Sequence, residues 1–597
     1  MPDAARSRTG QRIAALRSEL RQRNLDAFIL PRFDVHQGEY IAPHDERLAW
    51  ATGFTGTAGL AIVTHEEVAV FVDGRYSVQV REECAGALFT HHHLFDEPPE
   101  TWLKGRAGDA WRIGFDPMHL PPTWYDRFGA ALASVGATLD GVTGNPIDAV
   151  WHDQPAPPMG QVEPMPVQFA GQPTCDKMTG LLDFMAKHEA QLYIETQPDN
   201  IAWLLNVRGD DIPCVPAPHS FLMVDRTGIT PWFIDHGKLA SDTRDALAEI
   251  ARIRPSGAFL TSIRSSVAKG QGVLIDPGFS PVAVRLVLEE IGADVVALPS
   301  YLTQTKARKN ATELEGLRAC HIQDGVAMTE FSAWLLQTVP SRAASGNPLT
   351  EREAEDKILE FRRNRPGFIS ESFNPISAAA SNAAMCHYTT TAKRNAAILP
   401  EAPFLLDSGG QYETGTTDIT RSFAFGQRPE GYDQAYTAVF KAFHALHTLR
   451  FPKGTQGHHI DAICRRPLWD LGLDYDHGTG HGVGHRLSVH EHPQRIGKPV
   501  SAVDLLPGMV MSIEPGHYVA GRYGIRIENL FEIAEESDGF LAFHNLTWVP
   551  IQTDMLIQSA LTGAERDWLA AYHREIGQKL RPFLSDRAVA WCQSISA

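Results

Sequence analysis

The 597 residues carry 54 Lys and Arg against 71 Asp and Glu, a formal charge of −17, and 43% of them are hydrophobic. That acidic balance excludes a broad nucleic-acid face, which needs clustered basic residues, while the apolar fraction is ordinary for a chain that buries full cores. At roughly 100–200 residues per domain the length predicts three or four domains, and no run approaches the ~20 apolar residues of a membrane helix, so a soluble protein is expected.

From Met1 to Arg23 the chain carries arginines but no apolar h-region, so it does not read as a secretory signal. Ile13, Leu16 and Leu20 fall on one face of an amphipathic helix instead. Strands follow at 27–30, 59–63 and 68–73, with a helical segment at 48–50 before the hairpin. The same order recurs at 191–194, 201–203, 221–224 and 229–235, so an internal duplication into two similar mixed α/β domains is expected. The seam is the proline-rich stretch 151–158. His91-His-His93 stands without a carboxylate string beside it and reads as an exposed turn or strand end rather than a metal site.

Asn310 is positioned to cap a helix at 311–317, and Thr350 with Glu353 makes a capping-box candidate for the next. The expected domains are therefore 1–154, 155–308 and 309–597, all of the chemistry lying in the third. Seven cysteines, at 84, 175, 214, 320, 386, 464 and 592, are scattered without a C-x-x-C pair. That suits reduced thiols and a cytoplasmic location.

The chemistry-bearing stretch runs from Asp407 to Glu528. Pro403-Phe-Leu-Leu-Asp407 reads as a buried strand, Ser408-Gly-Gly-Gln as a turn, and 416–423 as the returning strand. Such a hairpin puts Asp407 and Asp418 on one face, where like charges repel and protonate unless a cation lies between them. Glu514 ends the apolar run 509–513, and a carboxylate buried there needs a partner. In the segment 524–533, Ile525, Ile527, Phe531 and Ile533 share one face, Arg526 and Glu528 the other. Gly478, Gly480, Gly482 and Gly484 do not fit G-x-G-x-x-G, and no P-loop lysine follows. They let backbone pass close to a site into which His477, His481 and His490 point. Four carboxylates and one imidazole suit two divalent cations sharing bridging oxygens.

The order Asp407, Asp418, His481, Glu514, Glu528 resembles the five-ligand signature of the pita-bread metallopeptidases. The strings Asp407-Ser-Gly-Gly-Gln-Tyr, Thr416-Thr-Asp418-Ile-Thr-Arg, His477-Gly-Thr-Gly-His481-Gly-Val-Gly, Val489-His490-Glu-His-Pro and Ile513-Glu514-Pro-Gly are similar to those of the long, three-domain aminopeptidase P family. Ser381-Asn-Ala-Ala-Met-Cys-His387-Tyr matches that family's Asn-x-Ala-x-x-His-Tyr string, with an alanine near Ala380 where a glycine is usual. The resemblance spans essentially the full length but is sharp only from about Ser381 to Glu528.

The resemblance implies two α/β domains and a pita-bread catalytic domain, two divalent cations (manganese first, cobalt or zinc compatible) and a homodimer. By it Asp407 holds one metal, His481 and Glu514 the other, and Asp418 and Glu528 bridge both, with a hydroxide between the metals as nucleophile. Glu514 serves as general base, and His387, His477 and His490 stabilise the oxyanion and fix the substrate carbonyl. Arg526 orients the carboxylates, the two front domains limit access to short, unfolded peptides, and Arg75 is the contact expected at that mouth. The implied reaction is removal of an N-terminal residue from short peptides with proline second, without nucleic-acid or membrane partners. The alternatives are a prolidase that cuts Xaa-Pro dipeptides and, in another class, a metal-free pita-bread binding module.

Overall fold

Two six-stranded sheets of one design account for the first half of the chain. In the computed structural model, which describes residues 2–228, 230–248 and 250–596, the first sheet runs Phe89–His93, Val68–Val72, Leu60–Thr64, Ala27–Pro31, Arg112–Phe115, Thr138–Gly141. The second runs Ala251–Arg254, Thr230–Phe233, Phe221–Asp225, Leu192–Glu195, Gly272–Ile275, Asp294–Ala297. Across each, successive pairs are parallel, antiparallel, antiparallel, parallel, parallel. Both belong to one compact unit, Met1–Val167 with Gln172–Thr303. Met1 and Ile229, which the sequence reading places in a helix and a strand, lie outside the described residues.

The central strands of the first sheet are apolar on both faces because both are covered. Phe28, Leu30, Ala61 and Val63 pack with Ile13, Leu16 and Leu20 of the helix Pro2–Gln22. Ala27, Ile29, Leu60 and Ile62 pack on the other side with Phe128 and Leu132 of the helix Pro122–Ala133. The tract His91–His93 ends the edge strand and is half-buried rather than exposed. Parallel pairing with Val68–Val72 draws it in, and the His92 ring stacks on Phe71.

The second unit is Gln168–Gly171 with Gln304–Ala597. Asn310 and Glu313 form a capping box on the helix Ala311–Ala344, and Thr350 and Glu353 form another on Glu351–Arg363. Phe331 and Leu335 of the long helix pack on Phe404, Leu406 and Phe423 of a three-stranded sheet, Ile376–Ala379, Phe404–Ser408, Ile419–Phe423. A six-stranded sheet runs Arg450–Phe451, Leu541–Asn545, Asn529–Glu535, Val510–Ile513, Gly480–Gly482, Glu491–Ile496. Its Met511, Ile513, Phe531 and Ile533 bury against Phe440 and Phe443 of the helix Tyr432–His447 and Ile576 of Gly563–Leu580. Among the described residues no helix is long and apolar enough to cross a membrane.

Two local expectations are corrected. Ser408–Gln411 is not the turn: Gly410–Tyr412 pairs onward with Gly415–Thr416, and the chain reverses at Glu413 and Thr414. The hairpin divides between two small sheets at Gly409, where a Cβ would lie 2.0 Å from the Thr417 carbonyl. The segment 524–533 is likewise two strands, Tyr523–Arg526 and Asn529–Glu535, each in its own sheet.

Candidate metal centre

The break in the hairpin positions the first two acids. Asp407 lies opposite Thr420 in the antiparallel register, and Asp418, two residues before Thr420, shares that residue's face just where regular pairing stops. Glu528 sits between the strands Tyr523–Arg526 and Asn529–Glu535, its N–H donating to the Thr420 carbonyl (3.2 Å). Glu514 follows Val510–Ile513 and donates its N–H to the Thr479 carbonyl (2.8 Å). His481 is the middle residue of Gly480–Gly482. A Cβ on Gly480 would meet the Ser512 carbonyl at 2.0 Å and one on Gly482 the Glu491 carbonyl at 2.5 Å, so only glycine lets this strand slip between its neighbours.

Asp418, His481 and Glu528 each bring one ligand atom within 4.8 Å of the others. His481 Nδ1–H donates to the Gly482 carbonyl (2.9 Å), which fixes the tautomer and leaves Nε2 facing Asp418 Oδ2 and Glu514 Oε1, each at 3.5 Å. The electrostatics are severe. Burial, then Asp418, push the Asp407 carboxyl up to about 7 against the pull of Arg526. Burial, then Asp418, Glu514 and Asp407, drive Glu528 well above the carboxylate range, and burial raises Glu514. Burial opposes a charge on His481, but Asp418 and Glu514 outweigh it and hold the ring at about 9. Asp407 Oδ1 and Asp418 Oδ1 are buried with no hydrogen-bond partner among the described residues. Orphaned carboxylate oxygens and surplus buried negative charge, in an oxygen-rich set with one imidazole, fit a pair of hard or borderline divalent cations.

Arg526 ties the acids together. Its Nη2 donates to Asp407 Oδ2 (2.5 Å), Nη1 to the Tyr518 hydroxyl (2.6 Å), and Nε to Thr420 Oγ1 (3.0 Å), whose own hydrogen goes to Glu528 Oε2 (2.8 Å). Ser512 Oγ donates to Glu514 Oε1 (3.3 Å). The His490 ring stands 4.4 Å from that of His481, edge to face. His387 follows Cys386, whose carbonyl accepts from Arg526 Nη2 (3.5 Å).

His477, expected to contact a substrate carbonyl, makes two hydrogen bonds within the protein. Its Nδ1–H donates to the Gly478 carbonyl (2.7 Å) and its Nε2 accepts from the Tyr518 hydroxyl (2.9 Å). Tyr518, Thr420 and Ser512 were not singled out from sequence. Thr420 is the one with a signal, being the residue two along from Asp418 on the same strand face. Arg75, in the first unit, is held by Asp73 and Glu39.

A second cluster, Asp34, Asp45 and His219, brings ligand atoms equally close in the first unit. There Arg47 Nη1 meets Asp45 Oδ1 at 3.0 Å, while Asp34 Oδ2 lies 3.4 Å from Nε2 of His219, a ring that burial holds below its usual range, and both of those atoms are buried with no hydrogen-bond partner among the described residues. Asp34 Oδ1 also accepts from the His36 and Gly38 N–H groups. The Arg47 ion pair and those two N–H donors are the partners the cluster's carboxylates have among the described residues.

Residues 315–535 match metallopeptidase family M24, and 539–594 match the C-terminal region of peptidase M24. Residues 12–149 and 153–313 each match the creatinase/prolidase N-terminal domain. The chain is 36% identical over 600 residues to a probable Xaa-Pro aminopeptidase P of Paracoccidioides brasiliensis, covering 97% of both. It is 37% identical over 599 residues to a probable Xaa-Pro aminopeptidase P of Neurospora crassa, covering 96% of this chain and 86% of that one. The crystal structure of an X-prolyl aminopeptidase from Caenorhabditis elegans, described as a cytosolic enzyme with a di-nuclear active site, superposes with a TM-score of 0.92 at 31% identity over 99% of each chain.

Proposed function

The chain belongs to metallopeptidase family M24 and, within it, to the Xaa-Pro aminopeptidase P group, and from that premise we propose that it releases the N-terminal residue of short peptides whose second residue is proline. The observation that carries this reading is the meeting of Asp418, His481 and Glu528, with Asp407 and Glu514 alongside and two carboxylate oxygens unpartnered. Asp407 would hold one cation, His481 and Glu514 the other, and Asp418 and Glu528 both, with Mn²⁺ the proposed native metal. When bound, such a pair supplies activated water at neutral pH, since coordination lowers a water's pKa from ~15.7 towards ~7.

The chain's own residues do the rest. Glu514, raised by burial and steadied by Ser512 Oγ, takes a proton and returns it to the leaving nitrogen. His387 and His490 supply donors for the oxyanion. His477 holds Tyr518, and through it Arg526, which keeps Asp407 oriented. The scissile Xaa-Pro bond is a tertiary amide with no N–H and a rigid ring, so the site needs an apolar slot and no contact from that nitrogen. Domain limits at 1–154, 155–308 and 309–597, a cytoplasmic location and a homodimer belong to the same proposal; cysteines that form no disulfide among the described residues agree with a reducing compartment.

The test is release of the first residue from an Xaa-Pro-Xaa tripeptide by chelated protein, with and without added Mn²⁺. Metal-dependent, proline-dependent release is expected, and Asp418→Ala and Glu528→Ala should abolish both metal pairing and turnover while the first unit stays folded. Cleavage of Xaa-Pro dipeptides alone would favour a prolidase. A chain that retains no metal after exhaustive dialysis and readdition would favour a binding module.

A further inference from the structure

Glu351 opens the helix Glu351–Arg363 and is 0% exposed. Its Oε1 accepts from the Ala379 N–H (2.7 Å) and Asn382 Nδ2 (2.8 Å), and its Oε2 from the Tyr388 hydroxyl (2.7 Å) and the Ala396 N–H (2.7 Å). An ionised carboxylate is acceptor-only, with about four lone-pair sites. Here two backbone and two side-chain donors take them up. The donors come from both ends and the middle of one loop, residues 379–396, which carries His387. Asn382 Nδ2 also donates to the Tyr388 hydroxyl (3.1 Å), linking the two side chains that share the carboxylate.

The same loop is pinned from its other side. The Ala383 carbonyl lies so close to Gly524 that a Cβ there would be 1.8 Å away, and the Cys386 carbonyl accepts from Arg526. Between these anchors Ala380 adopts a left-handed conformation, φ +51°, which an alanine does not choose unaided. Asn382 and Tyr388, the flanking members of the Asn-x-Ala-x-x-His-Tyr string, therefore spend their polar groups on Glu351.

We infer that Glu351 is a positioning residue for the proposed reaction: by binding Ala379, Asn382, Tyr388 and Ala396 at once, its carboxylate sets the loop that holds His387 at the candidate centre. This rests on His387 acting on substrate. A glutamine at 351 keeps the shape but turns an N–H₂ towards two donors, so half of the clamp must open.

The test uses metal-loaded, full-length protein and an Xaa-Pro-Xaa tripeptide. Glu351→Gln is expected to lower kcat about 10- to 100-fold, the usual scale for an outer partner of a catalytic site, with KM changed less than about 3-fold and two metals retained. Combined with His387→Ala it should cost no more than His387→Ala alone, because both remove the same contribution. Losses that multiply, or metal lost in proportion to activity, would overturn the inference while leaving the proposed function intact. Wild-type kcat in His387→Ala would remove both the role of His387 and this inference. Tyr388→Phe, which deletes one donor, runs through the same cycle if Glu351→Gln fails to fold, with the same outcomes deciding.

Discussion

Glu491, one residue beyond His490, is buried between two lysines. Lys306 Nζ meets its Oε2 at 2.7 Å and Lys309 Nζ binds its Oε1, and all three side chains are at most 2% exposed. Burial already depresses the Lys309 pKa, so the anion is what permits two ammonium groups there. In Glu491→Gln the two cations lose their common counter-charge, and breaking a buried pair by removing one partner costs about 3–5 kcal/mol. The second unit holds about 300 residues, and at ~2.1 cal/mol/K per residue its unfolding entropy is ~0.6 kcal/mol/K. The variant should therefore melt about 5–8 °C lower than the parent by differential scanning calorimetry of the metal-loaded protein. The triple change Lys306→Met, Glu491→Leu, Lys309→Met removes all three charges and should recover most of that loss, since apolar replacements of buried ionic groups are often neutral or stabilising. A drop under ~2 °C in Glu491→Gln, or a triple variant less stable than the single one, would refute the reasoning.

Arg526→Lys replaces a fork that reaches Asp407, Tyr518 and Thr420 together with a single ammonium; kcat should fall about 10- to 100-fold, and an unchanged kcat would remove Arg526 from the machinery. Ala380→Gly relieves a left-handed alanine and should add about 1 kcal/mol, read as a melting temperature ~1–2 °C higher; a decrease would mean the strain is not where the dihedral places it. His447 is buried among Phe443, Phe531 and Trp568, and burial lowers its pKa to about 3. A depressed folded pKa means stability that is present above ~6.5 and lost as pH falls, by about 3 kcal/mol at pH 4. His447→Phe should match the parent near pH 7 and outlast it towards pH 4, whereas parallel stability curves would count against this.

The meeting of Asp418, His481 and Glu528 was legible in the sequence because each sits in a distinctive string. Asp407 closes an apolar run and Glu514 ends another, so strand geometry and chemistry agree there, whereas Glu528 falls in the break between two strands, where alternation does not say which way it points. The repeated front sheets were visible for the same reason, their hairpins recurring in order. What escaped was partnership across long sequence separations. Nothing at Glu351 foretells Tyr388 and Ala396, nothing at Tyr518 foretells His477, and the lysines that face Glu491 lie more than 180 residues before it. The hairpin from Asp407 was misjudged because alternation does not record where a strand leaves one sheet for another; Gly409, pressed on the Thr417 carbonyl, does. The positive φ of Ala380 gives a physical meaning to the alanine that stands near a usual glycine position.

The donors proposed for the metal pair are unevenly divided along the backbone. Asp407 and Asp418 precede the largely exposed loop 426–431, while His481, Glu514 and Glu528 follow it. A polypeptide nicked within that loop would share its cation pocket between two fragments, two donors on one and three on the other. Neither piece could close the pocket by itself. Tight uptake of metal would then report reunion of the halves, and the enzyme becomes a natural candidate for a split reporter whose signal is switched on by complementation and erased by a chelator.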